Sequence, residues 1–171
     1  ENNTLAIAKS ASHLGNGGPM SPIRALILSA TILAAPAAAQ TQCEAFGALT
    51  EAAQGSAADM QSATEMAEIL AGAAPDICER ARIHAAPDEL ICTWPFILGD
   101  TAAPALLDHL STAIIYCVPD AVRVPPDMAV NHPDFYKLHQ FEMTGAAVAV
   151  SLKDKGALGQ TFVRLRLSAR D

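Results

Sequence analysis

Basic residues are scarce in this chain: 11 lysines and arginines stand against 18 aspartates and glutamates, a net charge of −7 with histidine neutral. An acidic surface repels phosphate backbones, so nucleic-acid binding is not expected. A long hydrophobic run is also missing. The apolar stretch from Ile23 to Ala39 has 17 residues, several of them alanine. A transmembrane helix needs about 20 strongly apolar ones. No Cys-x-x-Cys pair occurs, which removes a thioredoxin-like redox site, and zinc-finger spacing is absent. His84, His109, His132 and His139 are scattered. None makes the His-x-x-x-His spacing that sets two ligands on one helix face, so no metal and no cofactor are expected. There is no Gly-x-Ser-x-Gly elbow to carry a nucleophile. Gly156-Ala157-Leu158-Gly159 lacks the lysine and hydroxyl that complete a phosphate loop. No internal repeat is visible.

From Met20 the chain reads Met-Ser-Pro-Ile-Arg, an apolar run, then Pro36-Ala37-Ala38-Ala39-Gln40. A charged start, a short apolar middle and an Ala-x-Ala end are the parts of a secretory signal peptide. Cleavage is expected between Ala39 and Gln40, which makes residues 20–39 the signal. Residues 1–19 are polar and aperiodic and begin with Glu1. The expectation is that translation starts at Met20 and that they are upstream read-through. An uncleaved signal-anchor, giving a membrane-tethered envelope protein, is the alternative, since Arg24 alone makes a thin basic region. Lipidation at Cys43 is rejected, because Gln40-Thr41-Gln42 is bulky and polar where lipobox processing needs small residues. The alanine-rich signal and composition resemble those of exported proteins of Gram-negative bacteria, so a periplasmic or secreted location is expected.

Residues 40–171 are then a single domain. Leaving out Lys9, Arg24 and Glu1 gives nine cations against seventeen anions, a net charge of −8. Its four cysteines, Cys43, Cys78, Cys92 and Cys117, read as two disulfides in an oxidising compartment. Three pairings are open, and sequential pairing, Cys43 with Cys78 and Cys92 with Cys117, is preferred.

Apolar spacing predicts a short helix from Cys43 to Ala53 and a second through Met60, Ala63, Met66, Ala67 and Leu70. Asp59 or Ser62 would cap the second helix, and Gly72 and Pro75 would end it. Alternation over 77–84 and the run Leu90–Leu98 predict strands around an Ala85–Glu89 turn. Pro95 points to an edge or a bulge. Asp100 or Thr101 caps a third helix that buries Leu106, Leu107, Leu110 and Ile114, with Pro104 in its first turn. Residues 121–134 read as loop. Strands are expected over 135–144, 146–152 and 160–167, with turns at Gly145 and at Lys153–Gly156. The fold class is therefore α+β: an antiparallel sheet of about five strands, order ααββαβββ, with helices packed on one face. That order resembles small envelope binding modules and secretion-chaperone-like folds. No motif carries the resemblance, so no residue is transferred from it.

Two groups of residues are candidate sites. Asn131, His132, Asp134 and Tyr136 gather an amide, an imidazole, a carboxylate and a phenol in one short segment. Loops on rigid scaffolds often carry function. His132 with Asp134 would suit a small periplasmic hydrolase, while turn chemistry is the plainer explanation. Lys153, Lys155, Arg164 and Arg166 concentrate positive charge near the C-terminus and suit a carboxylate ligand or an anionic patch. Cross-strand pairs from Arg164 or Arg166 to Glu142 are the alternative. Together these features favour a small exported binding or accessory protein without catalytic activity. Its expected partner is a protein or a small anionic ligand, without stable membrane insertion after signal cleavage.

Overall fold

Apolar residues at every second position and apolar residues every third or fourth meet on one surface of the sheet, and that surface is the core. The computed structural model describes residues 34–55, 60–81, 88–125 and 136–170. Helices α1 (Ala34–Gln54) and α2 (Met60–Ala71) precede strands β1 (Ile77–Ala81) and β2 (Glu89–Ile97). Helix α3 (Ala102–Cys117) follows, then strands β3 (Val122–Val124), β4 (Tyr136–Met143), β5 (Ala146–Lys155) and β6 (Gln160–Ala169). The six strands form one antiparallel sheet in the order β1-β2-β6-β5-β4-β3. This is the expected α+β class with one strand more.

The added strand is β3, within the stretch read as loop. Its Val-Arg-Val is too short to announce itself, and it is held by pairing with Gln140–Glu142 of β4. Helix α1 starts well before Cys43 and runs through positions 39 and 40. Its alanines are the strongest helix formers, which explains the extension. Ser62 lies inside α2 rather than at its cap, and Asp59 falls outside the described residues. Asp100 starts α3 as expected, its carboxylate accepting the Ala102 N–H at 2.8 Å, whereas Thr101 makes no side-chain cap.

Pairing in β2 explains Pro95. Beyond Thr93 the strand has lost its β1 neighbour and pairs only with β6, so a residue without an N–H sits where one edge is open. The turn expected at Lys153–Gly156 is displaced. Lys153 and Lys155 are strand residues opposite Phe162 and Gln160, and a 3₁₀ turn at Gly156–Leu158 reverses the chain.

Leu90 and Trp94 of β2, Val163, Leu165 and Leu167 of β6, and Val148, Val150 and Leu152 of β5 point to the helices. They meet Phe46 and Leu49 of α1, Leu70 of α2, and Leu107, Leu110 and Ile114 of α3, all buried. Fully burying one such side chain stabilises by about 1.5–3 kcal/mol. Trp94 also donates its indole N–H to the Ala73 carbonyl at 2.9 Å, which fixes the segment after α2.

The disulfides are Cys43–Cys117 and Cys78–Cys92, so the sequential pairing is incorrect. Register is the reason. Cys78 lies directly opposite Cys92 in the β1–β2 pair, with Cα atoms 4.1 Å apart, and no other cysteine competes for it. Cys43 then meets the last residue of α3 and ties the first helix to the third. No helix among the described residues is long and apolar enough to cross a membrane.

Candidate functional site

The sheet face turned away from the helices carries a depression, and side-chain size makes it. Along β5, Ala147 and Ala149 point to this face while Val148 and Val150 point into the core. Ala149 lies between Arg166 of β6 and Gln140 of β4, in a row that runs from Ile91 to Val124. Ala147 lies between Ser168 and Glu142. Two methyl groups flanked by long polar side chains leave a hollow of about 400 Å³. Glu89 and Arg170 close it on the β6 side, and Val124 and Pro125 on the β3 side.

Its charges balance: two carboxylates and two guanidiniums. Arg170 and Glu142 are joined at 2.7 Å, both about half exposed at the rim, so their contribution to stability is small. Arg166 and Glu89 lie deeper and form a looser ion pair. Arg166 Nη1 stands 3.9 Å from Glu89 Oε2, beyond hydrogen-bond distance. Glu89 Oε2 and Arg166 Nε are both buried without a hydrogen-bond partner. Register again explains this, because Arg166 lies opposite Ile91 while Glu89 lies opposite Ser168, a diagonal placement. A buried donor or acceptor left unmade costs about 1–3 kcal/mol. Both atoms belong to residues that line the hollow but are themselves closed off from solvent.

Five of the eight residues singled out from sequence lie on this same face: Tyr136, Lys153, Lys155, Arg164 and Arg166. Only Arg166 lines the hollow. Arg164 projects one row further along, its guanidinium 5.7 Å from the Phe162 ring centroid, and Tyr136 lies opposite Lys153 at the far end. Asn131, His132 and Asp134 lie outside the described residues. The cross-strand partners differ from those expected: Arg166 faces Glu89, Arg164 stacks on Phe162, and Glu142 is taken by Arg170. Glu89, Gln140, Ser168 and Arg170 were not singled out from sequence, and Glu142 was named only as a partner for Arg164 or Arg166. The alternation of alanine with valine in Ala146–Val150 is the one local sign of the hollow.

A hydroxyl–imidazole pair also occurs, between α3 and β4. Ser111 Oγ is 2.7 Å from His139 Nδ1 and donates its proton to the Leu107 carbonyl, also at 2.7 Å. The oxygen is then the acceptor and the imidazole N–H the donor. Both residues are buried under the helix, so this pair locks α3 to the sheet and offers no nucleophile to a substrate. Burial pushes the His139 pKa below its ordinary value. Arg123 and Lys137 act in the same direction, and Asp108 acts against them. Among the described residues no three metal-ligating side chains converge.

No protein-family model matches this chain, and no curated protein and no solved structure matches it either.

Proposed function

We propose that this is a small exported binding protein that takes its ligand on the helix-free face of the sheet. The observation that carries the reading is the hollow over Ala147 and Ala149, lined by the Arg166–Glu89 and Arg170–Glu142 ion pairs. A concave site with a few convergent polar groups is the usual form of a small-molecule site. The signal-like segment 20–39 supports a periplasmic location, and the two disulfides fit an oxidising compartment.

Native mass spectrometry tests this reading. The exported protein is incubated with a periplasmic small-molecule extract, alongside an Ala149→Phe variant that fills the hollow. A non-covalent adduct on the wild-type protein that the folded variant lacks is the expected result. No adduct on the wild type, or the same adduct on both, overturns it. The same spectra, before and after reduction and alkylation, report whether the chain begins at Gln40 and whether all four thiols are paired.

A further inference from the structure

Two adjoining turns at one end of the sheet expose aliphatic side chains that contribute little to the core. Ile97 and Leu98 lead from β2 toward α3, and Leu158 lies in the 3₁₀ turn between β5 and β6. Ile97 is 78% exposed and Leu158 65%, and Leu98 is exposed as well. The Leu98 N–H donates to the Gly159 carbonyl at 2.9 Å, so the two turns are held side by side. Each passes through a glycine of positive φ, 84° at Gly99 and 62° at Gly159. Such turns need the glycine and ordinarily surround it with polar residues. Aliphatic side chains gathered on both of them point to a surface outside the molecule.

We infer that this tip docks on an anionic lipid bilayer, its aliphatic side chains entering between head groups and the neighbouring cations meeting lipid phosphates. Charge on the helix-free face is one-sided here. Lys155 stands in the cross-strand row of Ile97, Lys153 in the next row beside Phe162, and Arg164 in the third. No described residue of these three rows is a carboxylate. Asp154 faces the other side of β5 and accepts the Thr161 hydroxyl at 2.6 Å, while the Asp100 carboxylate is held on the Ala102 N–H. The three helices carry no lysine or arginine at all. An anionic surface therefore attracts this end and repels the helical layer, which orients the molecule tip-first. A protein partner fits less well. Three aliphatic side chains on two turns are few beside the roughly 20 or more residues that a stable protein interface takes from each side. A bilayer interface accepts a protruding apolar tip without a matching shape.

The test is co-sedimentation of the disulfide-intact protein with vesicles of phosphatidylglycerol and phosphatidylethanolamine, against vesicles of phosphatidylcholine alone. Binding to the anionic vesicles that weakens as salt rises is expected. Ile97→Asn/Leu158→Asn should lower it by roughly tenfold or more, and Lys155→Glu by about fivefold. Ile115→Asn, at the opposite end of α3 and 49% exposed, should bind as the wild type does. In a Leu158→Trp variant the emission should move to shorter wavelength on the anionic vesicles, as the new ring leaves water. Binding that the double variant retains overturns the inference, because it then belongs to another part of the chain, such as the apolar segment 23–39. No binding, or equal binding to both kinds of vesicle, overturns it too. A dimer in lipid-free sedimentation velocity that the double variant abolishes also overturns it and assigns the tip to a second copy. Ala149→Phe, which fills the hollow, should leave vesicle binding unchanged, so the two readings stand or fall separately.

Discussion

His139 of β4 and Ser111 of α3 meet at 2.7 Å, and burial of the imidazole at this point makes the helix–sheet interface sensitive to acid. Burial first, then Arg123 and Lys137, hold the imidazole pKa below its ordinary value, with Asp108 opposing. The unfolded chain therefore binds a proton more readily than the folded one, and stability rises with pH across the gap. The stabilisation is complete above the unfolded value of about 6.5 and is lost as pH falls toward the lowered folded pKa. Chemical denaturation between pH 7.5 and pH 5 should show the wild type losing more stability than His139→Gln over that range. Parallel profiles for the two proteins would place the acid sensitivity elsewhere.

The two disulfides should differ in worth. Cys43–Cys117 closes a loop with a sequence separation of 74, and Cys78–Cys92 one of 14. In the chain-entropy model these correspond to about 4 and about 3 kcal/mol. Urea unfolding of Cys43→Ala/Cys117→Ala and of Cys78→Ala/Cys92→Ala should rank them in that order. The reverse order would mean that the β1–β2 hairpin depends on its covalent tie more than on strand pairing.

Local pattern carries the elements of this fold, and long-range register carries its site. The spacing of Met60, Ala63, Ala67 and Leu70 marks α2, and Leu106, Leu107, Leu110 and Ile114 mark α3, because one helix face is buried in each. Phe162 to Leu167 marks β6 because each side of the strand meets a different medium. Nothing local distinguishes Val122–Val124 from a loop, since it is a strand only by virtue of β4. Glu89 illustrates the same limit. Read along the chain it belongs to a Pro-Asp-Glu turn, and only the β2–β6 register sets it beside Arg166. The hollow draws on β2, β6, β5 and β4 together, so no window of sequence contains it.

Arg80 ties β1 to the end of α1 and should behave as a helix cap. Its guanidinium donates to the Ala52 and Ala53 carbonyls, in the last turn, where a cation also faces the negative end of the helix dipole. Arg80→Met keeps the aliphatic stem and removes the donors. It should lower stability by about 1.5–3 kcal/mol, as for hydrogen bonds from a charged group at a partly buried site. Arg80→Lys should recover only part of the loss, because an ammonium does not reproduce the planar fork. The urea midpoints of the three proteins decide it, and full recovery by lysine would assign the effect to charge alone.

Gly145 and Gly47 should respond to the same substitution with opposite sign. Gly145 turns β4 into β5 at φ 74°, and its carbonyl accepts the Gln54 side-chain amide at 3.2 Å and the Arg170 N–H at 3.1 Å. A Cβ there would lie 3.5 Å from Gln54 Nε2, ordinary contact, so no clash enters the argument. The cost of Gly145→Ala is the left-handed backbone itself, about 1–2 kcal/mol for an L-residue. Gly47 lies inside α1, exposed, with nothing within 4 Å of an added Cβ. Gly47→Ala should therefore raise stability by about 0.8–1 kcal/mol through helix propensity. Denaturation midpoints moving in opposite directions are expected. A neutral Gly145→Ala would show that this hairpin can reverse without a left-handed residue, and the carbonyl that joins α1 to the end of β6 would then be free to move.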